Sequence, residues 1–338
     1  YSEWFGTYPW QELKLSEFPD LARYAQGFPT NITFSEGIGF LNADDPRSAA
    51  AFAVTAHESA HQWWGNIVVP AKAPGGAVLS EGMAHFSTLL LLDAVKGPRA
   101  RLEFAKRLES SYGNSRHKDA ERSLARVDGS RAGDTSVIYD RGGLVLWMLS
   151  RQLGREAMFS GLRAFVAQWS AGPDHPAVED LLDSLRPLAP DGPAFESFCR
   201  SWILGTDVPE YLVTSAERVP LEPGDPAFSP TEPKWRVTCM LSNTGSGAPE
   251  LEVAAVRGTR FPDEDGTSGE APEPGDAQDG RPPGDADDAW RESRATVRLQ
   301  PGDPATITLL CDFEPTEVLV DPDVQVLMLK REAARFRF

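Results

Sequence analysis

The stretch "TAHESAHQWWGN", residues 55–66, holds two of the chain's five histidines four positions apart, with Glu58 directly after the first. Upstream, "SAAAFAVTAHESAHQWW" repeats alanine and apolar residues at helical spacing and meets a stop signal at Gly65–Asn66. On that helix His57 and His61 project from one face, one turn apart, so two imidazoles can reach one metal ion. Glu58 is rotated off that face. Its carboxylate can address a metal-activated water without being a ligand, which is the placement of a general base in a zinc hydrolase.

A zinc site needs a third ligand. A second helix is expected from Ser80, a residue suited to capping, through "EGMAHFSTLLLLDAV". Pro70, Pro74, Gly75 and Gly76 in the intervening segment bar one continuous helix, so the two helices turn back on each other. Glu81, twenty positions after His61, is then the leading candidate; His85, His117, His175 and downstream carboxylates are the others. A His57, His61, Glu81 set leaves the fourth position open and predicts one catalytic Zn2+ per chain. A metal-free hydrogen-bond network is the alternative, but burying that many polar groups without a metal is costly. His85 shares a face with Glu81, and a supporting or packing role suits it better than a fourth ligand.

The 338 residues predict two domains. Two β-type patterns, "ELKLSEF" and "ITFSEGIGFL", precede the first helix. Helical periodicity then runs through "RARLEFAKRLESSY", "DRGGLVLWMLSRQLG", "EAMFSGLRAFVAQW", "AVEDLLDSLRPL" and "AFESFCRSWILG". After "GTDVPEY" the pattern changes to alternating strands separated by Pro, Gly, Asn and Asp, for which a β-sandwich is the simplest closure. The fold class expected is α+β: a catalytic domain over 1–206 with a small sheet and a helical subdomain, then a β-sandwich domain over 207–338. Residues 262–288 carry ten Asp or Glu against one Arg and read as a disordered acidic loop.

These residues resemble the gluzincin aminopeptidases related to aminopeptidase N, whose catalytic domain is thermolysin-like. "HESAHQWWGN" followed by "LSEGMAHF" is the most specific part of the likeness; "FGTYPWQELKLSEFP" and "FCRSWILGTDVPEY" extend it. The resemblance implies zinc held by His57, His61 and Glu81, Glu58 as general base, and Tyr139 of "YDRGG" as an oxyanion donor. Two departures stand out. Nineteen residues separate His61 from Glu81 where the family has eighteen, and the family's "GAMEN" strand, whose Glu binds the substrate's amino terminus, looks replaced by "SEGIGF" (35–40), leaving Glu36 and Gly37 as weak substrate-binding candidates. Both departures look like a bacterial branch fused to an ABC-transporter-type permease. That likeness implies a soluble domain attached to a membrane by a part preceding Tyr1.

The function expected is zinc-dependent hydrolysis of peptide bonds, most similar to an aminopeptidase, with a peptide as substrate. An endopeptidase is a second reading, and a catalytically idle zinc module docking a peptide or partner of a membrane complex is a third. A net charge of −17 disfavours nucleic acid and anionic lipid as direct ligands. The longest apolar run is closed by Asp93, so direct membrane insertion is not expected. Cys199, Cys239 and Cys311 lack metal-type spacing and read as buried thiols, with a 239–311 pair conceivable if their strands are neighbours. Trp63 and Trp64 read as core or cleft wall. Asn66 reads as a helix stop.

Overall fold

The chain is described by a computed structural model covering residues 1–22, 24–39, 50–116, 118–230, 234–261 and 289–338. It divides into two units, one of residues 1–208 and 324–329, the other of 209–323 and 330–338. The fold class is α+β.

The first unit opens with α1 (Ser2–Phe5) and a three-stranded sheet of β1 (Lys14–Phe18), β2 (Ala25–Phe28) and β3 (Asn31–Ser35) in the order β1-β3-β2. β3 runs parallel to β1 and antiparallel to β2, leaving β2 on an edge. The expected strand over "ITFSEGIGFL" stops at Ser35, and residues 36–39 form a helical turn, α2 (Glu36–Gly39). Glycine at 37 and 39 favours that change, since it has little to offer a pleated surface. Helices α3 (Ala50–Ala60), α4 (Glu81–Val95), α5 (Pro98–Ser115), α6 (Asp134–Ser136), α7 (Gly142–Leu153), α8 (Arg155–Trp169), α9 (Val178–Leu185) and α10 (Gly192–Phe198) follow. Ser80 precedes α4 as expected but makes no capping bond. Its hydroxyl lies 3.5 Å from the Trp64 carbonyl and from His61 Nδ1.

Residues 76–95 are apolar and long enough to cross a membrane by length and composition. Their hydropathy is explained by burial, because Met83, Phe86, Leu89 and Leu92 of α4 are all fully buried in the unit's core. The surprise is the segment 324–329, "VQVLML", which alternates like a strand yet belongs to the helical unit. Trp147 Nε1 donates to Gln325 Oε1 at 2.8 Å, Arg101 Nη1 donates to the Val324 carbonyl at 3.2 Å, and the Met328 amide donates to Glu109 Oε1 at 3.1 Å. A division at 206/207 and the compact units differ at residues 207–208 and at this six-residue return.

The second unit holds two antiparallel sheets. One is β4 (Tyr211–Pro220), β5 (Trp235–Asn243) and β8 (Pro304–Cys311) in the order β4-β5-β8; the other is β6 (Glu250–Arg257), β7 (Arg291–Arg298), β9 (Glu317–Val320) and β10 (Arg335–Arg337) in the order β10-β9-β6-β7. β5 buries Val237, Cys239 and Leu241 in alternation, the signature of a sheet with one covered face. Cys239 lies opposite Ile307 and Cys311 opposite Trp235, so neighbouring strands still keep the two thiols apart in register, and both are free. The acidic stretch 262–288 lies outside the described residues.

Candidate metal centre

The amide of His61 bonds to the His57 carbonyl at 3.3 Å, carrying the helical geometry of α3 one residue past Ala60 and keeping both imidazoles on one face. The chain then turns through Gly65 at φ 111° and Gly75 at φ 82°, conformations open to glycine, and re-enters a helix at Glu81. The three candidate donor atoms converge. His57 Nε2 and His61 Nε2 are 3.2 Å apart, and Glu81 Oε2 lies 3.3 Å from the first and 3.2 Å from the second. A tetrahedral ion with bonds of about 2.0–2.1 Å spaces its ligand atoms about 3.3–3.4 Å apart. The triangle therefore fits zinc, with one vertex left open.

A metal ion between the two Nε2 atoms requires both to present lone pairs, and the remaining ring nitrogens have partners that allow it. His61 Nδ1 lies 2.9 Å from the Trp64 carbonyl, which fixes its proton there. His57 Nδ1 lies 2.8 Å from His85 Nδ1. Burial opposes ionisation of Glu81, but His57 and His61 outweigh it and hold the carboxyl far below its ordinary range. Burial likewise works against the charged form of His61, yet Glu81 and the Trp64 carbonyl raise its pKa. The donor atoms lie at separations that one shared metal ion would satisfy.

Glu58 is buried beside the triangle, and burial raises its pKa against the pull of His57 and His61, leaving a carboxylate ready to take a proton. Tyr139 sits in a single π-helical turn, Val137–Arg141, which replaces the first turn of α7. Such turns re-aim one side chain. Here the Tyr139 ring lies parallel to His57 with centroids 6.0 Å apart, and burial together with the Glu81 charge pushes its pKa well up, so the hydroxyl stays protonated as a donor. Arg141 pins the turn by donating to the carbonyls of Trp202, Gly205 and Asp207 and to the Tyr112 hydroxyl.

The edge strand β2 is tied to the same helix. Gln62, fully buried, donates to the Phe28 carbonyl at 2.7 Å and accepts from the Thr30 amide at 2.9 Å, while Asn66 Nδ2 donates to the Gly27 carbonyl at 3.3 Å. A Cβ at Gly27 would come within 2.5 Å of the Glu58 carbonyl oxygen and 3.0 Å of His61 Cβ. Gly27→Ala is therefore expected to displace β2 or α3, costing about 1–3 kcal/mol of stability and lowering turnover. Thermal unfolding and steady-state rates on the purified variant check both effects.

Of the residues singled out in the sequence, His57, His61, Glu81, Glu58 and Tyr139 are brought together. Glu36 and Gly37 lie beside Asp20. Glu36 Oε2 accepts from the Asp20 amide at 3.3 Å, and a Cβ at Gly37 would meet the Asp20 carboxylate at 2.7 Å, because the parallel pairing of β1 with β3 ends beside that loop. The strand against the motif helix is β2, inside the polar stretch that carries no strong β pattern. His175 is exposed, with Nδ1 3.0 Å from the Val69 carbonyl; His117 lies outside the described residues. Trp63 and Trp64 are core, packed on Phe5, and Trp63 Nε1 donates to the Gly6 carbonyl. Gly27, Gln62 and Asp140 were not legible as site residues; only the adjacency of Gln62 to His61 was a hint.

A His, His, carboxylate triangle carried by an HExxH helix and the helix after it is a donor set that could hold one zinc ion. Residues 2–202 match the Peptidase family M1 domain, and the chain belongs to that family. It is 28% identical to Aminopeptidase N of Lactococcus lactis subsp. lactis over 193 residues, covering 53% of this chain and 22% of that protein. It is also 28% identical to human Endoplasmic reticulum aminopeptidase 1 over 211 residues, covering 59% of this chain and 22% of that protein. A solved M1 zinc metallopeptidase from Deinococcus radiodurans, bound to a Tyr-Ser-Ala substrate, is similar at 23% identity and a TM-score of 0.49, covering 62% of this chain and 43% of that one. The chain thus spans about a fifth of the two curated relatives named.

Proposed function

We propose that this chain is a zinc-dependent peptidase of the aminopeptidase type, with one zinc held by His57, His61 and Glu81. The observation that carries this reading is the near-equilateral triangle of donor atoms at 3.2–3.3 Å. When bound, zinc supplies Lewis acidity that polarises a carbonyl and lowers the pKa of water toward about 7. Glu58 takes the proton of the attacking water and returns it to the leaving amine, a double duty suited to a carboxylate whose pKa is raised by burial. Tyr139, held protonated, donates to the oxygen on which negative charge develops.

Tyr139→Phe keeps the ring that lies against His57 and removes the donor. Turnover is expected to fall about 10²–10³-fold with zinc content unchanged by metal analysis; a rate within threefold of the parent chain removes Tyr139 from the mechanism.

Mass spectrometry of a peptide mixture, half with free and half with acetylated amino termini, tests the reading as a whole. Single-residue release from free termini only, lost in Glu58→Gln, supports an aminopeptidase and makes Glu36→Gln the next variant. Cuts within acetylated peptides identify an endopeptidase. Tight peptide binding without cleavage by the zinc-loaded chain favours the idle docking module. Membership of a larger permease fusion rests on the nineteen-residue spacing and "SEGIGF" alone.

A further inference from the structure

Beside His57, a second set of polar groups is unused by the chemistry above. His85, one turn after Glu81 on α4, has Nδ1 2.8 Å from His57 Nδ1 and Nε2 3.8 Å from Asp140 Oδ1. Its ring is packed edge-on against Tyr139, with centroids 5.4 Å apart, and tilted against Phe104 at 5.6 Å. Asp140 is buried and adjoins Tyr139 in the π turn, where its carboxylate takes a hydrogen bond from Ser111 of α5. The fit depends on Gly143, since a Cβ there would come within 2.6 Å of His85 Cβ. Side chains from α3, α5 and the π turn therefore meet at one imidazole.

The two facing Nδ1 atoms restrict the tautomers. At 2.8 Å one must donate and the other accept. If His85 Nδ1 carried the proton, the neutral His57 would carry its own on Nε2, in the middle of the donor triangle, and no lone pair would remain for a metal. His57 as a ligand requires the reverse: Nδ1–H of His57 donates to His85 Nδ1, and the His85 proton sits on Nε2, facing Asp140. The 3.8 Å separation is too long for a direct hydrogen bond and is the span of a charge–dipole contact or of one completed by a water.

We infer that His85 and Asp140 are positioning residues for the metal, a relay that holds His57 in its Nδ1–H tautomer and ties the Tyr139 turn to the ligand helix. The relay rests on the reading of His57, His61 and Glu81 as a zinc site. Its effect is on the metal: a ligand imidazole whose far N–H has a fixed acceptor binds more tightly, and losing such a partner costs about 10–100-fold in metal affinity.

The test is zinc affinity of the purified chain, measured by competition with a fluorescent chelator, alongside the unfolding temperature of each metal-free variant. His85→Phe keeps an aromatic ring in the cage and strands the His57 Nδ1–H; it is expected to weaken zinc about 10–100-fold. His85→Gln restores an acceptor oxygen and should recover zinc affinity to within about fivefold of the parent chain, and Asp140→Leu should weaken zinc by about tenfold. Because a buried substitution can unfold the chain, nitrogen-15 NMR of the imidazoles in the unaltered zinc-loaded protein supplies an independent readout. It should place protons on His57 Nδ1 and His85 Nε2. Zinc affinity in folded His85→Phe within twofold of the parent, or a proton on His85 Nδ1, overturns the relay while leaving the zinc site standing. Failure of the unaltered chain to bind zinc overturns the site and the relay together.

Discussion

Glu58→Gln should lower peptide hydrolysis by about 10²–10⁴-fold while leaving one zinc bound per chain. The substitution keeps shape and burial, and the amide oxygen can still accept the Gly27 amide hydrogen bond that the carboxylate takes. What is lost is the basicity. Glu58 contributes no atom to the donor triangle, so zinc affinity should stay within a few-fold of the parent chain. Parallel measurements of turnover and zinc stoichiometry separate the two roles. Retention of more than a tenth of the activity would mean that another group accepts the proton, and the assignment would fail.

Removal of the metal should have the second large effect. Chelation is expected to abolish hydrolysis, and added zinc to restore it. The same titration should move stability if zinc favours the folded cluster over the unfolded chain. Free zinc at about 1,000 times its Kd adds about 4 kcal/mol, or about 8–16 °C in the unfolding midpoint of a unit of this size. Without the ion the cluster compensates with protons, holding Glu81 ionised against a His61 of raised pKa, which keeps the metal-free fold from paying the full cost of a buried lone carboxylate. Scanning calorimetry with and without chelator checks the shift; a midpoint insensitive to zinc would leave the triangle as a hydrogen-bond network.

The site was legible where function constrains spacing along one helix or between two. His57 and His61 announce a shared face by their separation, and Pro70 through Gly76 announce the turn-back that delivers Glu81. Helices α4, α7 and α8 were legible because their apolar residues repeat at 3.6. β2 was not, since four residues containing a glycine carry no alternation, and its importance comes from a contact that glycine permits rather than from a side chain. Glu36 has the right chemistry, but the end of the β1–β3 pairing sets it beside Asp20. The relay through His85 was half legible: the helix face could be read, whereas Asp140 reaches it only because a π turn rotates residues 137–141 out of ordinary α-helical phase.

The return of residues 324–329 to the helical unit ties the order of synthesis to the order of folding. Arg101, Glu109 and Trp147 take hydrogen-bond partners 178 to 223 positions downstream. During synthesis, which proceeds at about 5–20 residues per second, the motif helix and Glu81 leave the ribosome well before those partners exist. The metal-bearing unit therefore reaches its full set of contacts only after nearly the whole of the second unit has been translated. A chain interrupted between the two would carry His57, His61 and Glu81 and still lack the strip that packs on the helical unit, so completion of that unit is coupled to completion of the strand-rich one.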